Sequence, residues 1–107
     1  MTTLVVFMSY YDIGNETVQE KPKCGRLVMY SASWCGACKR ARRDLRENGI
    51  RFREYFVDRD ANMNARFELK AKEAGVTIAY PRFEVNGTLL AKNFTAQYMD
   101  EKYNLCK

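Results

Sequence analysis

The chain has 107 residues, a length that accommodates one domain. Its 47% hydrophobic and 29% charged residues are typical of a folded globular protein rather than a disordered one. There is no histidine, which excludes Ser-His-Asp and Cys-His catalytic pairs and every metal site that requires an imidazole. The 18 lysines and arginines exceed the 13 aspartates and glutamates, and the net charge of +5 favours anionic partners.

Residues 1–25 are predicted to be an N-terminal extension that precedes a domain spanning residues 26–107. Within the extension, the apolar run at residues 4–8 predicts a short strand, and residues 12–25 predict a connecting segment. No lysine or arginine precedes the apolar run, which is too short for a signal peptide or a membrane span. We therefore expect a cytoplasmic protein that does not enter a membrane, whose cysteines stay reduced unless their chemistry requires otherwise.

From residue 27 onward, strands and helices are predicted to alternate. The hydrophobic periodicity predicts strands at 27–30, 50–57, 82–85 and 88–91 and helices at about 35–47, 61–74 and 95–105. Asn48-Gly49 and Gly75 are typical helix ends, and Thr95 is a typical N-cap. Asn86-Gly87 is a strong signal for a β-hairpin. This order predicts a single α/β domain with a helical crossover between strands.

Most aromatic residues are predicted to lie in the core of this domain. They are Phe52, Phe56, Phe67, Phe83, Phe94 and Tyr98. Trp34 is the exception, because it lies directly beside a cysteine at a strand-to-helix junction. We expect Trp34 to line a contact surface instead.

Cys35 and Cys38 lie three residues apart where the strand leads into the helix. The free amides of the first helical turn and the helix dipole favour negative charge at this place. Cysteines in Cys-X-X-Cys sites have pKa values of about 3.5–7.5, against about 8.5 for a free thiol. The pattern predicts that Cys35 is the exposed nucleophile and that Cys38, further into the helix, resolves the mixed disulfide.

The alternative for these residues is a zinc site, in which Cys24, Cys35, Cys38 and Cys106 together form a Cys₄ centre. A zinc knuckle usually presents two close pairs, whereas Cys24 and Cys106 stand alone near the two ends of the chain. The preceding strand and following helix also match a redox site better than a knuckle. We therefore predict a redox pair without a metal, with Cys24 and Cys106 outside it. A Cys24–Cys106 disulfide requires that their Cα atoms lie within about 7 Å.

The segment Tyr30–Lys39, with the sequence YSASWCGACK, resembles the active-site segment of the thioredoxin superfamily. Thioredoxins have Trp-Cys-Gly-Pro-Cys-Lys, from which this chain differs only at Ala37. The stretch Pro81–Gly87 resembles the glutaredoxin branch, in which a proline is followed five residues later by Asn-Gly. The resemblance extends from residue 26 to about residue 104 and joins a glutaredoxin-like scaffold to a thioredoxin-like motif.

The resemblance implies a three-layer thioredoxin/glutaredoxin-like fold, in which helices flank a central four-stranded mixed sheet; the extension would contribute an additional N-terminal strand. It implies a thiol-disulfide oxidoreductase that reduces protein or glutathione mixed disulfides through the dithiol of Cys35 and Cys38. It also implies a cis peptide bond before Pro81. Trp34, Lys39, Tyr80 and Pro81 are then the substrate-binding residues. Glutathione is expected as a co-substrate, with no bound cofactor or metal and a monomeric protein.

Three departures separate the chain from ordinary glutaredoxins. Ala32 stands where many members have a lysine that meets a glutathione carboxylate, and Ala79-Tyr80 replaces Thr-Val before the proline. The segment Ala91–Thr95 lacks a Gly-Gly pair followed by an acidic residue. We therefore expect glutathione to bind more weakly or in a different pose, with Lys39, Lys92 or an arginine supplying the charge. The alternatives are a thioredoxin-like reductase recharged by a reductase protein and a noncatalytic thioredoxin-fold adaptor.

The helix that follows the cysteines is rich in positive charge, which it carries on Lys39, Arg40, Arg42, Arg43 and Arg46. Such a run is most simply a solvated helix face. The functional alternative is that these cations stabilise the thiolates and steer glutathione or an acidic protein surface toward the site. Nucleic acid is a weaker option, because no stacking motif accompanies the charge.

Overall fold

A computed structural model describes residues 23–107. The strand predicted at residues 4–8 and most of the predicted connecting segment lie outside the described residues. The described part forms, in chain order, β1 (Leu27–Ser31), α1 (Gly36–Glu47), β2 (Phe52–Phe56), α2 (Ala61–Ala74), β3 (Arg82–Val85), β4 (Thr88–Leu89) and α3 (Ala96–Tyr103). The order of elements predicted from residue 27 onward is confirmed.

The four strands form one mixed sheet in the order β2-β1-β3-β4. β1 and β2 are parallel, with Leu27 opposite Phe52, and α1 provides the crossover between them. β3 is antiparallel to both β1 and β4. Because β1 is central and its carboxyl end leads directly into α1, the sheet places Cys35 at the edge where β1 and β2 both end.

Alternate residues of the sheet enter two cores on its opposite faces, as the strand pleat requires. On one face, Met29 and Phe83 pack with Leu45 of α1 and Met99 of α3. On the other face, Tyr30 packs with Phe67 and Ala71 of α2. Helices therefore cover both faces, which confirms the three-layer fold.

The turn signals predicted from the sequence have the expected backbone conformations. Asn86 and Gly87 have φ angles of 50° and 88°, the two positive values that a two-residue hairpin turn of type I′ requires. Gly75 ends α2 in the left-handed conformation, and the Thr95 side chain accepts a hydrogen bond from the Tyr98 N–H at the start of α3. The local sequence therefore decides where these elements end.

Some local predictions are wrong. The last strand ends at Leu89 instead of residue 91. The last helix ends at Tyr103 instead of residue 105, because Asn104 adopts a left-handed φ of 51°. Tyr98 is 44% exposed and stacks on Phe94 at the surface, whereas the sequence placed it in the core.

Cys24 and Cys106 form a disulfide, with their Cα atoms 4.9 Å apart. Beside it, Gly25 and Leu105 form a parallel bridge, and the Cys106 N–H donates to the Gly25 carbonyl at 2.9 Å. A Cβ atom on Gly25 would lie 2.8 Å from the Tyr103 carbonyl oxygen, so this close approach requires glycine. The disulfide lies just before the amino end of β1, away from the edge that carries Cys35.

Cys24 and Cys106 pair with each other and do not join Cys35 and Cys38. Over residues 23–107, no group of three or more cysteines, aspartates or glutamates is placed to hold a metal ion. In the same part of the chain, none of the helices is both long enough and apolar enough to cross a membrane.

Candidate active site

Cys35 is the N-cap of α1, and Cys38 lies in the first turn of that helix. The two residues form a disulfide, with their Cα atoms 5.3 Å apart. The Cys38 N–H donates a hydrogen bond to Cys35 Sγ at 3.1 Å. The sulfur thus occupies the position from which a serine or aspartate oxygen usually caps a helix. In the reduced protein, the same amide and the helix dipole favour a negative charge on Cys35.

The two cysteines differ in burial. Cys38 is fully buried, and Cys35 is 9% exposed. Cys35 is therefore the more accessible of the two residues, but the prediction that it is exposed is wrong, because it packs with Cys38 and Ala32. Both pack against Ala32, which is 1% exposed, and against Ala37 and Tyr80. A substrate therefore reaches Cys35 first, and Cys38 is positioned behind it.

An aromatic rim formed by Trp34 and Tyr80 borders the disulfide. Trp34 is 72% exposed, as expected for a contact residue, and its ring meets the Tyr80 ring edge-on at 5.8 Å. Tyr80 also packs on the buried Phe67 of α2, at 5.8 Å between ring centroids. The Tyr80–Pro81 peptide bond is cis, as the resemblance implied, and Pro81 is buried. Phe67 therefore anchors one side of the rim to the core.

A groove beside Pro81 runs between α1 and the loop that enters α3. Its walls include Arg40 from α1 and Asn93 and Thr95 from the loop. Lys39, which was predicted to bind substrate, is absent from the walls of this groove and lines a separate depression along α1 together with Arg42, Arg43 and Arg46. Among the cations considered for glutathione, the one that borders the Pro81 groove is therefore an arginine of α1.

Another depression is lined by Tyr80. Asp58, Arg59 and Asn64, from the end of β2 and the start of α2, contribute to its walls. Tyr80 lines this depression and the adjoining Pro81 lines the groove, and each of the two recesses has an arginine in its wall.

Asp58 holds the loop that precedes the cysteines, a role that the sequence did not reveal. The Ser33 N–H donates to Asp58 Oδ1 at 3.0 Å, and the Ser33 hydroxyl donates to Asp58 Oδ2. The hydrogen bonds from Ser33 lower the pKa of the Asp58 carboxyl. In the sequence Asp58 was only part of a turn. Its partner becomes evident only when the parallel pairing of β1 and β2 brings their carboxyl ends together.

Arg42 and Glu54 attach α1 to the sheet. Arg42 donates to both Glu54 carboxylate oxygens, at 2.7 and 2.6 Å, and the Ser31 hydroxyl donates to the same carboxylate at 2.6 Å. Burial raises the pKa of Glu54, but the hydrogen bonds from Arg42 and Ser31 outweigh it and hold that pKa below its usual value. Arg42 is therefore a structural cation that supports the helix carrying Cys35 and Cys38.

The glutaredoxin family model matches residues 27–90, the segment from β1 to the residue after β4. This match covers more than half of the chain and includes both active-site cysteines and the cis proline. The chain belongs to the glutaredoxin family. No curated protein matches the chain in a sequence comparison.

Two solved structures are similar to this glutaredoxin-family chain. The crystal structure of a buckwheat glutaredoxin–glutathione complex matches with a TM-score of 0.55 and 20% identity, over 73% of this chain and 67% of that chain. Mitochondrial thioredoxin 3 from Saccharomyces cerevisiae, in its oxidized form, matches with a TM-score of 0.47 and 24% identity, over 75% of this chain and 76% of that chain. The buckwheat structure shares the fold.

Proposed function

We propose that this glutaredoxin-family protein is a thiol-disulfide oxidoreductase that reduces protein disulfides and glutathione mixed disulfides. One observation carries the proposal: Cys35 Sγ accepts the Cys38 N–H at the start of α1, and the buried Cys38 is joined to it. This arrangement supplies a nucleophile and a resolving thiol in a chain that has no histidine to act as a base.

The reaction begins with the Cys35 thiolate attacking one sulfur of the substrate disulfide. A bond forms between Cys35 Sγ and that sulfur while the substrate S–S bond breaks, and the departing thiolate takes a proton from water. Cys38 then loses its proton and attacks Cys35 Sγ, which releases the second substrate thiol. Two electrons have passed from the dithiol to the substrate, and the Cys35–Cys38 disulfide is the oxidised product.

Glutathione is the proposed co-substrate that restores the dithiol, since two glutathione thiols supply two electrons and become glutathione disulfide. The buckwheat relative, whose structure is a complex with glutathione, supports this choice. In this chain, Arg40 in the Pro81 groove offers a guanidinium suited to a carboxylate. Ala32 is enclosed with the cysteines, so that position offers no cation to the groove.

A cytoplasmic location and a monomeric state remain predictions from the sequence. The Cys24–Cys106 disulfide argues against the cytoplasmic location, because structural disulfides are typical of oxidising compartments. Trapping the thiols of intact cells with an alkylating agent, followed by mass analysis of this pair, measures its redox state directly.

The proposed function is tested by following the reduction of a mixed disulfide between glutathione and a small thiol. One assay supplies glutathione and glutathione reductase, and a parallel assay supplies thioredoxin reductase alone. We expect turnover with glutathione, no turnover by Cys35→Ser, and unchanged turnover by the control variant Cys24→Ser/Cys106→Ser. Turnover only with thioredoxin reductase would identify a thioredoxin-like reductase, and turnover with neither would favour the adaptor.

A further inference from the structure

Four exposed cations on α1, namely Lys39, Arg40, Arg43 and Arg46, form a basic strip that begins beside the active site. At a rise of about 1.5 Å per residue, the strip ends about 16 Å along the helix from Cys35. Arg40 borders the Pro81 groove, whereas Lys39, Arg43 and Arg46 line a separate depression. Arg40 and Arg43 are three residues apart on α1 and therefore neighbours on its surface, so they connect the depression with the proposed substrate site.

The charge of the basic strip is not neutralised within the described part of the protein. Over residues 23–107, the ion pairs join Arg42 to Glu54, Arg66 and Lys70 to Glu84, and Lys107 to Asp100. None of them includes a member of the strip. The α1 carboxylate Asp44 is engaged elsewhere, since it accepts hydrogen bonds from the Ala96 N–H and the Asn48 side chain. Glu47 is the one carboxylate that lines the depression formed by Lys39, Arg43 and Arg46.

The position of the basic strip on its helix also argues against a purely structural role. Cations stabilise a helix near its carboxyl end and destabilise it near its amino end. Arg46 lies in the favourable last turn, but Lys39 and Arg40 lie close to the amino end, where no acidic residue offsets them in the first turn. The other two helices also have no acidic residue in the first turn, but neither has a cation there.

We propose that the basic strip binds an acidic segment next to the disulfide in protein substrates of this enzyme, an inference that rests on the proposed oxidoreductase function. An extended chain advances about 3.3 Å per residue, so the strip accommodates about five residues beside the substrate cysteine. Exposed ion pairs are individually weak, and the attraction is therefore collective and sensitive to salt.

A protein segment fits the basic strip better than a nucleic acid does. Sequence-independent binding of single strands combines positive charge with aromatic side chains on which bases stack. The cations of the strip are interleaved with Ala41, Arg42 and Leu45, and no aromatic residue lies among them on α1. A peptide bonded through its own cysteine to Cys35, by contrast, necessarily lies where the strip begins.

The test compares disulfide peptides that are identical except for five flanking residues, which are acidic, neutral or basic. We expect kcat/KM for the acidic peptide to exceed that for the neutral one by about tenfold at low ionic strength, and the advantage to shrink at high salt. Arg43→Glu/Arg46→Glu removes the advantage, and Arg43→Gln/Arg46→Gln reduces it. The matched control, Arg51→Glu/Lys72→Glu, changes the net charge equally at exposed positions outside α1, and it should retain the advantage of the acidic peptide.

A small neutral disulfide, hydroxyethyl disulfide with glutathione, separates this inference from the proposed function. All variants are expected to reduce it at wild-type rates, which also shows that they are folded. If it is reduced but the acidic flanks confer no advantage, or the control loses the advantage equally, the basic strip is not a docking surface. If a single-stranded oligonucleotide of equal charge competes better than the acidic peptide, nucleic acid is the partner and the inference is wrong. If the wild-type protein reduces no disulfide, the proposed function itself is wrong.

Discussion

Both carboxylate oxygens of Asp58 accept hydrogen bonds from Ser33, one from the backbone N–H and one from the hydroxyl. Ser33 precedes Cys35 by two residues, and Asp58 lies two residues after the end of β2, so this pair fastens the loop before the cysteines to the neighbouring strand. The pair is exposed to solvent, so it holds the loop in place without burying a charge.

Replacing Asp58 with alanine should lower kcat/KM for disulfide reduction by up to about tenfold, because a freed loop no longer presents Cys35 in one geometry. Ser33→Ala should have a smaller effect, since the backbone N–H still donates to Asp58. In the Asp58→Ala background, Ser33→Ala should add almost nothing, which a double-mutant cycle measures. Fully additive effects would show that the two residues do not act through each other.

The same pair predicts a pH dependence of stability. Because Ser33 lowers the pKa of Asp58 from its ordinary value of 3.8, the ionised carboxylate is the hydrogen-bonded form. Its contribution is fully present above that ordinary value and is lost as the pH falls through the lowered pKa. We therefore expect urea midpoints of the wild type and Asp58→Ala to differ at neutral pH and to converge in strong acid. A difference that stays constant into strong acid would contradict the assignment.

Cys35 should be the first sulfur to react once the pair is reduced, because it is the more accessible of the two and caps α1. Alkylation at mildly acidic pH, followed by peptide mapping, should label Cys35 well before Cys38. Cys38→Ser should accumulate mixed disulfides on Cys35, while Cys35→Ser should form none. Preferential labelling of Cys38 would reverse the proposed roles.

Arg40 should contribute to glutathione binding through the Pro81 groove that it borders. Arg40→Gln should raise the KM for glutathione by up to about tenfold, the cost of one charge-assisted hydrogen bond at an exposed site, with little change in kcat. Lys39→Gln is the matched control, because Lys39 lies one residue away on the same helix but lines a separate depression and not the Pro81 groove. Equal effects of the two variants would indicate general charge attraction rather than a contact in the groove.

The Cys24–Cys106 disulfide closes most of the described chain into one loop, with a sequence separation of 82 residues. Replacing both cysteines with serine should lower the free energy of unfolding by about 2–5 kcal/mol, which denaturant titration measures. The reductase rate below the melting temperature should not change, because the disulfide lies away from the edge that carries Cys35. A loss of rate in the folded variant would show that this pair takes part in the reaction.

Glu84 is a buried carboxylate that lies between the sheet and α2. It accepts a 2.7 Å hydrogen bond from the Tyr30 hydroxyl and forms ion pairs with Arg66 and Lys70. Tyr30→Phe should lower the free energy of unfolding by about 1–3 kcal/mol, because one lone pair of a buried carboxylate loses its donor. Replacing Tyr55, the half-buried neighbour of Tyr30, with phenylalanine is the control.

Alkaline titration offers a second test of that network. Burial, together with the hydrogen bond to Glu84, raises the pKa of Tyr30 to about 12 from the ordinary value of 10.0. The stability that this shift represents is fully present below the ordinary pKa and is lost as the pH rises toward the raised one. The wild type should therefore lose more stability than Tyr30→Phe across this alkaline range, as urea midpoints would show.

The features predicted correctly are those that neighbouring residues produce together. Asn86-Gly87 forms a hairpin turn because both residues tolerate positive φ. Thr95 caps α3 through a hydrogen bond from the Tyr98 amide three residues later. The strand, the Cys-X-X-Cys pair and the helix are contiguous as well, so the redox interpretation could be reached from one short segment.

The features that the sequence did not reveal depend on strand register and on which face of a helix meets the sheet. Ser33 and Asp58 meet because β1 and β2 run parallel and end together. Of the α1 cations, Arg42 pairs with Glu54, Arg40 borders the groove, and Lys39 lines a separate depression.

Cys24 and Cys106, at opposite ends of the described chain, came together only in the folded chain, which brings Gly25 beside Leu105. Tyr98 has the periodicity of a core residue, yet it lies on the outer face of α3. Short-range hydrogen bonds and backbone conformations are encoded within a few residues. Contacts between distant residues follow only from the packing of the whole sheet and its helices, since many pairings satisfy the same local pattern.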